Sequence, residues 1–277
     1  MTADFDKGGF GRVILALAPY LDDVVFVGGW AQRLFRLHPL AASKAPAPLM
    51  TLDADIAAPT ALSNRGRTLR ELLLGAHFVE NLSGSENPPK SKYQLDAAGS
   101  LCVEFITPLV GGDVRRDGTL DATVTIQGVS AEKLRHVDLL LACPWPVELT
   151  SADGYAVGEQ PIPIKICNPV SYLSQKVLAL PSRRPSKRGK DILYIHDTLL
   201  LFGAALDELR ALWIAEIRPQ LAKKALAQVL GASEQFFGGV TDLSREAANV
   251  ARGAGRSISA GELAAACRLG LSEIFGA

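Results

Sequence analysis

Apolar positions fall in short runs over the first 168 residues and in longer stretches of helical composition after Asn168-Pro169. Residues 12–20 read as a short helix that ends near Pro19, since proline lacks the amide a helix needs. Val24-Val25-Phe26-Val27 is a β-branched apolar run, expected to be a buried strand. Gly28-Gly29 follows at once, and 30–37 fits a helix with Ala31, Leu34 and Phe35 on the inward stripe. Two prolines make 44–48 a loop. A strand is expected over 50–56 and a helix over 68–74. Residues 83–92, rich in Ser, Pro, Asn and charge, read as a flexible loop. Residues 93–95 and 101–106 look like paired strands around a turn at 96–100. Gly111 to Gly118 is a polar excursion, and 137–141 and 162–166 are further strand candidates.

The remainder reads as helices over 170–180, 190–202, 206–230, 246–253 and 261–275, with Pro219 as a kink or a break in the third. A basic loop is expected at 183–188. The change in character places a boundary near residue 168: an α/β domain over 1–168 and a helical domain over 169–277.

Composition narrows the class without naming it. The chain has 277 residues and is 48% hydrophobic, enough for a substantial core. Lys and Arg number 29 and so do Asp and Glu, so no global basic field demands nucleic acid. The four cysteines are far apart without paired metal spacing, which suits reduced core thiols and a cytoplasmic location. The start is acidic and the apolar segment 13–27 is broken by Pro19, Asp22 and Asp23, so neither a signal peptide nor a membrane span is expected. His38, His77, His136 and His196 share no ligand spacing, and neither Gly-x-Ser-x-Gly nor a P-loop occurs.

The candidate chemistry lies in carboxylates. Asp53 and Asp55 in Leu52-Asp53-Ala54-Asp55-Ile56 would point to one face of a strand. Two acids on one face repel unless a divalent cation lies between them. Glu104 in Leu101-Cys102-Val103-Glu104-Phe105-Ile106 is a lone carboxylate in an apolar run, to be exposed at an edge, paired, or bound to metal. Gly28-Gly29 lets backbone amides approach a ligand, and the helix start beyond suits phosphate.

In this order the segments Val25-Phe26-Val27-Gly28-Gly29, Asp53-Ala54-Asp55-Ile56 and Val103-Glu104-Phe105 resemble the polymerase β-type nucleotidyltransferase superfamily. Gln175-Lys176-Val177-Leu178-Ala179-Leu180 followed by Arg188-Gly189-Lys190-Asp191-Ile192-Leu193 is similar to the helical motif of its bacterial, type IV toxin-like group. The resemblance covers roughly residues 20 to 205 and implies an α+β fold, a mixed sheet with helices followed by a helical domain. It implies transfer of a nucleoside monophosphate from an NTP to an acceptor, with Mg²⁺ held by Asp53, Asp55 and Glu104. Gly28 and Gly29 would contact phosphate, Lys176 would reach the triphosphate, and Asp191 would orient Lys176 or join the catalytic network. An RNA end such as tRNA, a protein hydroxyl or a small molecule would be the acceptor, and a cognate antitoxin a partner. Trp30-Ala31 replaces the Ser or Thr that commonly follows the glycines, and the third acid is Glu. Both departures fit altered nucleotide choice, or a rival reading as a non-catalytic nucleotide- or partner-binding module.

Overall fold

The computed structural model describes residues 3–43, 46–95, 101–116 and 118–276. It divides into two compact units, Met1–Ala31 with Met50–Cys167 and Gln32–Leu49 with Asn168–Ala277. The turn expected at 96–100 lies outside the described residues.

Among the described residues the first unit carries nine strands: β1 (Val25–Val27), β2 (Asp53–Ala57), β3 (Phe78–Ser83), β4 (Lys90–Leu95), β5 (Cys102–Pro108), β6 (Thr123–Ile126), β7 (Val129–Leu134), β8 (Trp145–Leu149) and β9 (Ile162–Ile166). Their order is β3-β4-β5-β2-β1-β9-β8, with β7 also beside β5 and β6 beside β7. The pairs β2–β5, β1–β9 and β5–β7 are parallel and the others antiparallel, so the sheet is mixed. The fold is α+β, with a helical C-terminal part.

Register explains why one sheet face is apolar. Phe26, Ile56, Phe105, Ala54, Val103 and Tyr93 are neighbours along the pairings and are all buried. Helix α1 (Ala3–Ala16) packs here: the Phe10 ring lies edge-on to Phe26 at 5.2 Å and is stacked on Trp30 at 4.0 Å. Trp30 sits in α2 (Gly28–Leu34), which begins on the glycines themselves and tightens into a 3₁₀ turn, Phe35–Leu37. The tryptophan that departs from the expected Ser or Thr is therefore a core residue. Helix α3 (Leu69–Gly75) starts at a capping box, in which the Thr68 side chain accepts from the Glu71 amide and Glu71 accepts from the Thr68 amide.

In the second unit, α5 (Pro169–Ala179) is capped by Asn168, whose Oδ1 accepts from the Ser171 amide at 2.8 Å. Then come α6 (Pro185–Leu201), α7 (Leu206–Leu212), α8 (Lys223–Phe237), α9 (Asp242–Gly253) and α10 (Ala260–Phe275). Helix α10 buries Leu263, Cys267, Leu271, Ile274 and Phe275, and the Phe275 ring meets Trp213 edge-on at 4.7 Å.

Several expectations are corrected. Residues 137–141 form a short helix, α4 (Val137–Leu141), not a strand; five residues carry too little periodicity to separate the two. The expected loop 83–92 ends in strand, because Lys90, Ser91 and Lys92 pair with β3. The basic run 183–188 is mostly the first turn of α6, where Pro185 supplies a helix-compatible φ and needs no amide partner. Helix α1 starts at Ala3 rather than residue 12. The break at Pro219 is present, as a 3₁₀ turn between α7 and α8. Among the described residues no helix is long and apolar enough to cross a membrane.

Candidate active site

The second sheet face holds the acids. Asp53 pairs with Cys102 and Asp55 with Glu104 across the parallel β2–β5 ladder, so these four side chains form a two-by-two array. Strand β4 extends it, placing Gln94 beside Cys102 and Lys92 beside Glu104. Asp53 is exposed, Asp55 and Glu104 are half-buried, and Cys102 is buried.

Val27, the last residue of β1, pairs with Asp55, and Gly28 follows it directly. Gly28 has φ +64°, and a Cβ there would lie 2.1 Å from Asp55 Oδ2. The chain therefore turns from strand to helix hard against the carboxylate, which only glycine permits. Gly29 is buried in the first turn of α2.

One donor atom each from Asp53, Cys102 and Glu104 lie within 4.8 Å of one another. Asp55 shares their face but stands outside that triplet, beside Gly28. The Lys92 ammonium donates to Glu104 Oε1, and this bond raises the lysine pKa above its ordinary value. Glu104 is thus neither at an edge nor unpaired. Burial, then Glu104, pushes the Cys102 thiol up to about 12, so the free side chain carries its proton. Carboxylates with one sulfur, converging on one spot, are a donor set that fits a divalent cation.

A family model described as nucleotidyltransferase matches residues 9–217, most of the chain and every residue named so far in the array. The chain belongs to the nucleotidyltransferase family. No curated protein matches it. Among solved structures it is similar to an antigenic nucleotidyltransferase-like protein from Paracoccidioides brasiliensis, with 19% identity over 95% of this chain and 93% of that one, at a TM-score of 0.37. It is also similar to MenT4, a nucleotidyltransferase toxin from Mycobacterium tuberculosis H37Rv, with 13% identity over 99% of this chain and 86% of that one, at a TM-score of 0.33. Family membership rests on the sequence match, and neither structural likeness adds to it.

The matched region of this nucleotidyltransferase also includes Lys176 on α5 and Asp191 on α6. Lys176 Nζ donates to Asp191 Oδ1 at 2.6 Å, and Arg183 Nε donates to Asp191 Oδ2 at 2.6 Å. Both members of the Lys176–Asp191 pair are buried, and the ammonium lies 5.4 Å and 5.3 Å from the Tyr172 and Tyr194 ring centres. Burial alone would raise the Asp191 pKa, but Lys176 and Arg183 together hold it below the usual carboxylate value. Two residues of the nucleotidyltransferase array that bear on its charge and ligand chemistry, Cys102 and Lys92, escaped the sequence reading. Cys102 was within reach, because it stands two residues before Glu104 and so shares its face. Lys92 was not, since only the β4–β5 register brings it there.

Proposed function

We propose that this nucleotidyltransferase moves a nucleoside monophosphate from an NTP to an acceptor hydroxyl, with Mg²⁺ as cofactor and pyrophosphate as the leaving product. The observation that carries the reading is the register pair Asp55–Glu104 with Asp53 on the same face, one residue row from a glycine turn that touches Asp55. A bound divalent cation supplies activation of the attacking hydroxyl and neutralisation of the triphosphate. Asp53, Asp55 and Glu104 would hold it. Gly28 and Gly29 would admit phosphate close to the backbone. In the proposal Lys176 binds the triphosphate, and its hydrogen bond to Asp191 favours an orienting role for that acid over a place in the reaction. Positioning and charge neutralisation would supply most of the rate.

The acceptor belongs to one of three classes: an RNA end such as tRNA, a protein hydroxyl, or a small molecule. A cognate antitoxin would be the matching partner if the protein acts as a toxin. The test is incubation with each labelled NTP, Mg²⁺, cellular RNA and lysate, followed by fractionation to see which class is labelled. Wild type should label one class, and Asp53→Ala should label none. Adding Mg²⁺ and NTP should also raise the melting temperature of wild type, and the variant should lose that shift. Absence of both labelling and shift with every NTP would reject the reading in favour of an interaction module.

A further inference from the structure

The thiol of Cys102 is out of place if the cation site is built for oxygen ligands alone. It is 4% exposed, belongs to no disulfide, and makes no hydrogen bond among the described residues. Its sulfur nevertheless comes within 4.8 Å of carboxylate oxygens of Asp53 and Glu104. The β2–β5 register fixes this: Cys102 is the direct neighbour of Asp53, and the pleat puts Glu104 on the same face two residues on. A buried, unpartnered sulfur aimed at two carboxylates is a ligand arrangement that magnesium does not use. Mg²⁺ takes oxygen, whereas sulfur selects softer or borderline ions.

We infer that Cys102 is a protein ligand alongside Asp53 and Glu104, which makes this a mixed oxygen–sulfur site that binds Co²⁺ or Zn²⁺ more tightly than Mg²⁺. On binding, the S–H bond breaks, the proton leaves to solvent, and the sulfur pair forms the bond to the metal. No oxidant or reductant is needed. Lys92 yields its bond to Glu104 as the cation arrives, since both positive charges compete for one carboxylate. The inference builds on the proposed metal-dependent reading but concerns which ion the residues choose.

Co²⁺ is the probe, because a cobalt–thiolate bond gives a near-ultraviolet charge-transfer absorption that oxygen ligands do not. Titrating the full chain should produce that absorption. Cys102→Ser should abolish it and lower the ratio of Co²⁺ to Mg²⁺ affinity by about tenfold or more. The exposed Cys143 is replaced by Ser in both proteins, so that any remaining signal comes from a buried thiol. A cooperative melt of the Ser variant shows that it folds. Should it fail to fold, alkylation of wild type read by mass spectrometry takes its place, with Co²⁺ expected to slow labelling of Cys102. Cobalt bound without the absorption, or an unchanged affinity ratio, or unprotected Cys102, would each overturn the inference. A cobalt–sulfur signal without any NTP-dependent shift or labelling would keep it and sink the nucleotidyl-transfer reading alone.

Discussion

Gly28 has φ +64°, and a Cβ on it would stand 2.1 Å from Asp55 Oδ2, so two separate penalties meet at one position. The left-handed backbone alone costs a residue with a side chain about 1–2 kcal/mol. The contact adds to that by pushing the Asp55 carboxylate off the array. Gly28→Ala should therefore melt below wild type and lose the shift caused by Mg²⁺ and NTP, both read in one thermal-denaturation series. Asp191 offers a second case, in the core of the helical unit. Removing its charge leaves the buried Lys176 ammonium without its partner, which costs about 3–5 kcal/mol at neutral pH. The pH dependence has a definite sign. The folded-state pKa of Asp191 is depressed by Lys176 and Arg183 against the opposing effect of burial. Its contribution is therefore fully present above the unfolded value of about 3.9 and is lost as pH falls through the folded value. Melting curves of wild type and Asp191→Asn should lie far apart at neutral pH and converge as acid is added. Parallel curves would mean that the pair contributes nothing through its charge.

Helices α6 and α9 approach closely at Gly189, where a Cβ would lie 2.9 Å from the Glu246 carbonyl carbon and 3.0 Å from its oxygen. Backbone cannot give way as a side-chain tip can, so Gly189→Val should force the helices apart and cost about 1–3 kcal/mol. Gly231 on α8 is the matched control, because a Cβ there meets nothing within 4 Å. Gly231→Ala should leave the melting temperature unchanged or raise it, by up to about 1 kcal/mol in stability. The same contrast shows what could be read in advance. Both glycines look alike in the sequence, and only the helix crossing separates them. The strand-borne acids were legible because side-chain alternation is a local property, true of any strand whatever it pairs with. Their meeting was not, since Asp55 reaches Glu104 through a parallel pairing across 49 positions of chain. Strand β3 was missed because most of its positions are exposed and it shows no clean alternation. Strand β7 was missed for a different reason, its buried half being Val-Ser-Ala rather than an apolar run. Where local signals agree, as in the Thr68 and Asn168 caps, the expected helices and the observed ones nearly coincide.

Across the whole molecule the 29 basic and 29 acidic side chains cancel, so no net field gathers polyanions. Any attraction to an RNA acceptor has to arise from individual cations. The basic run that opens α6 is the obvious source, yet half of it is already engaged. Arg183 holds Asp191, and Arg188 Nε donates to the Arg183 carbonyl at 2.9 Å. Arg184 and Lys187 are exposed and remain available. With single-stranded RNA as the probe, two such contacts give a slope of log affinity against log salt of about −1.4. Raising salt from about 50 to about 200 mM should then weaken binding by roughly sevenfold, against about 10³–10⁵ for a protein gripping six to ten phosphates. Fluorescence anisotropy at four or five salt concentrations measures the slope. Replacing Arg184 and Lys187 together by alanine should bring it close to zero. A steep slope that survives the double replacement would place the RNA-binding cations elsewhere on the surface. A flat slope in wild type would turn the search for an acceptor away from RNA and toward a protein hydroxyl or a small molecule, since neither needs a track of phosphate contacts.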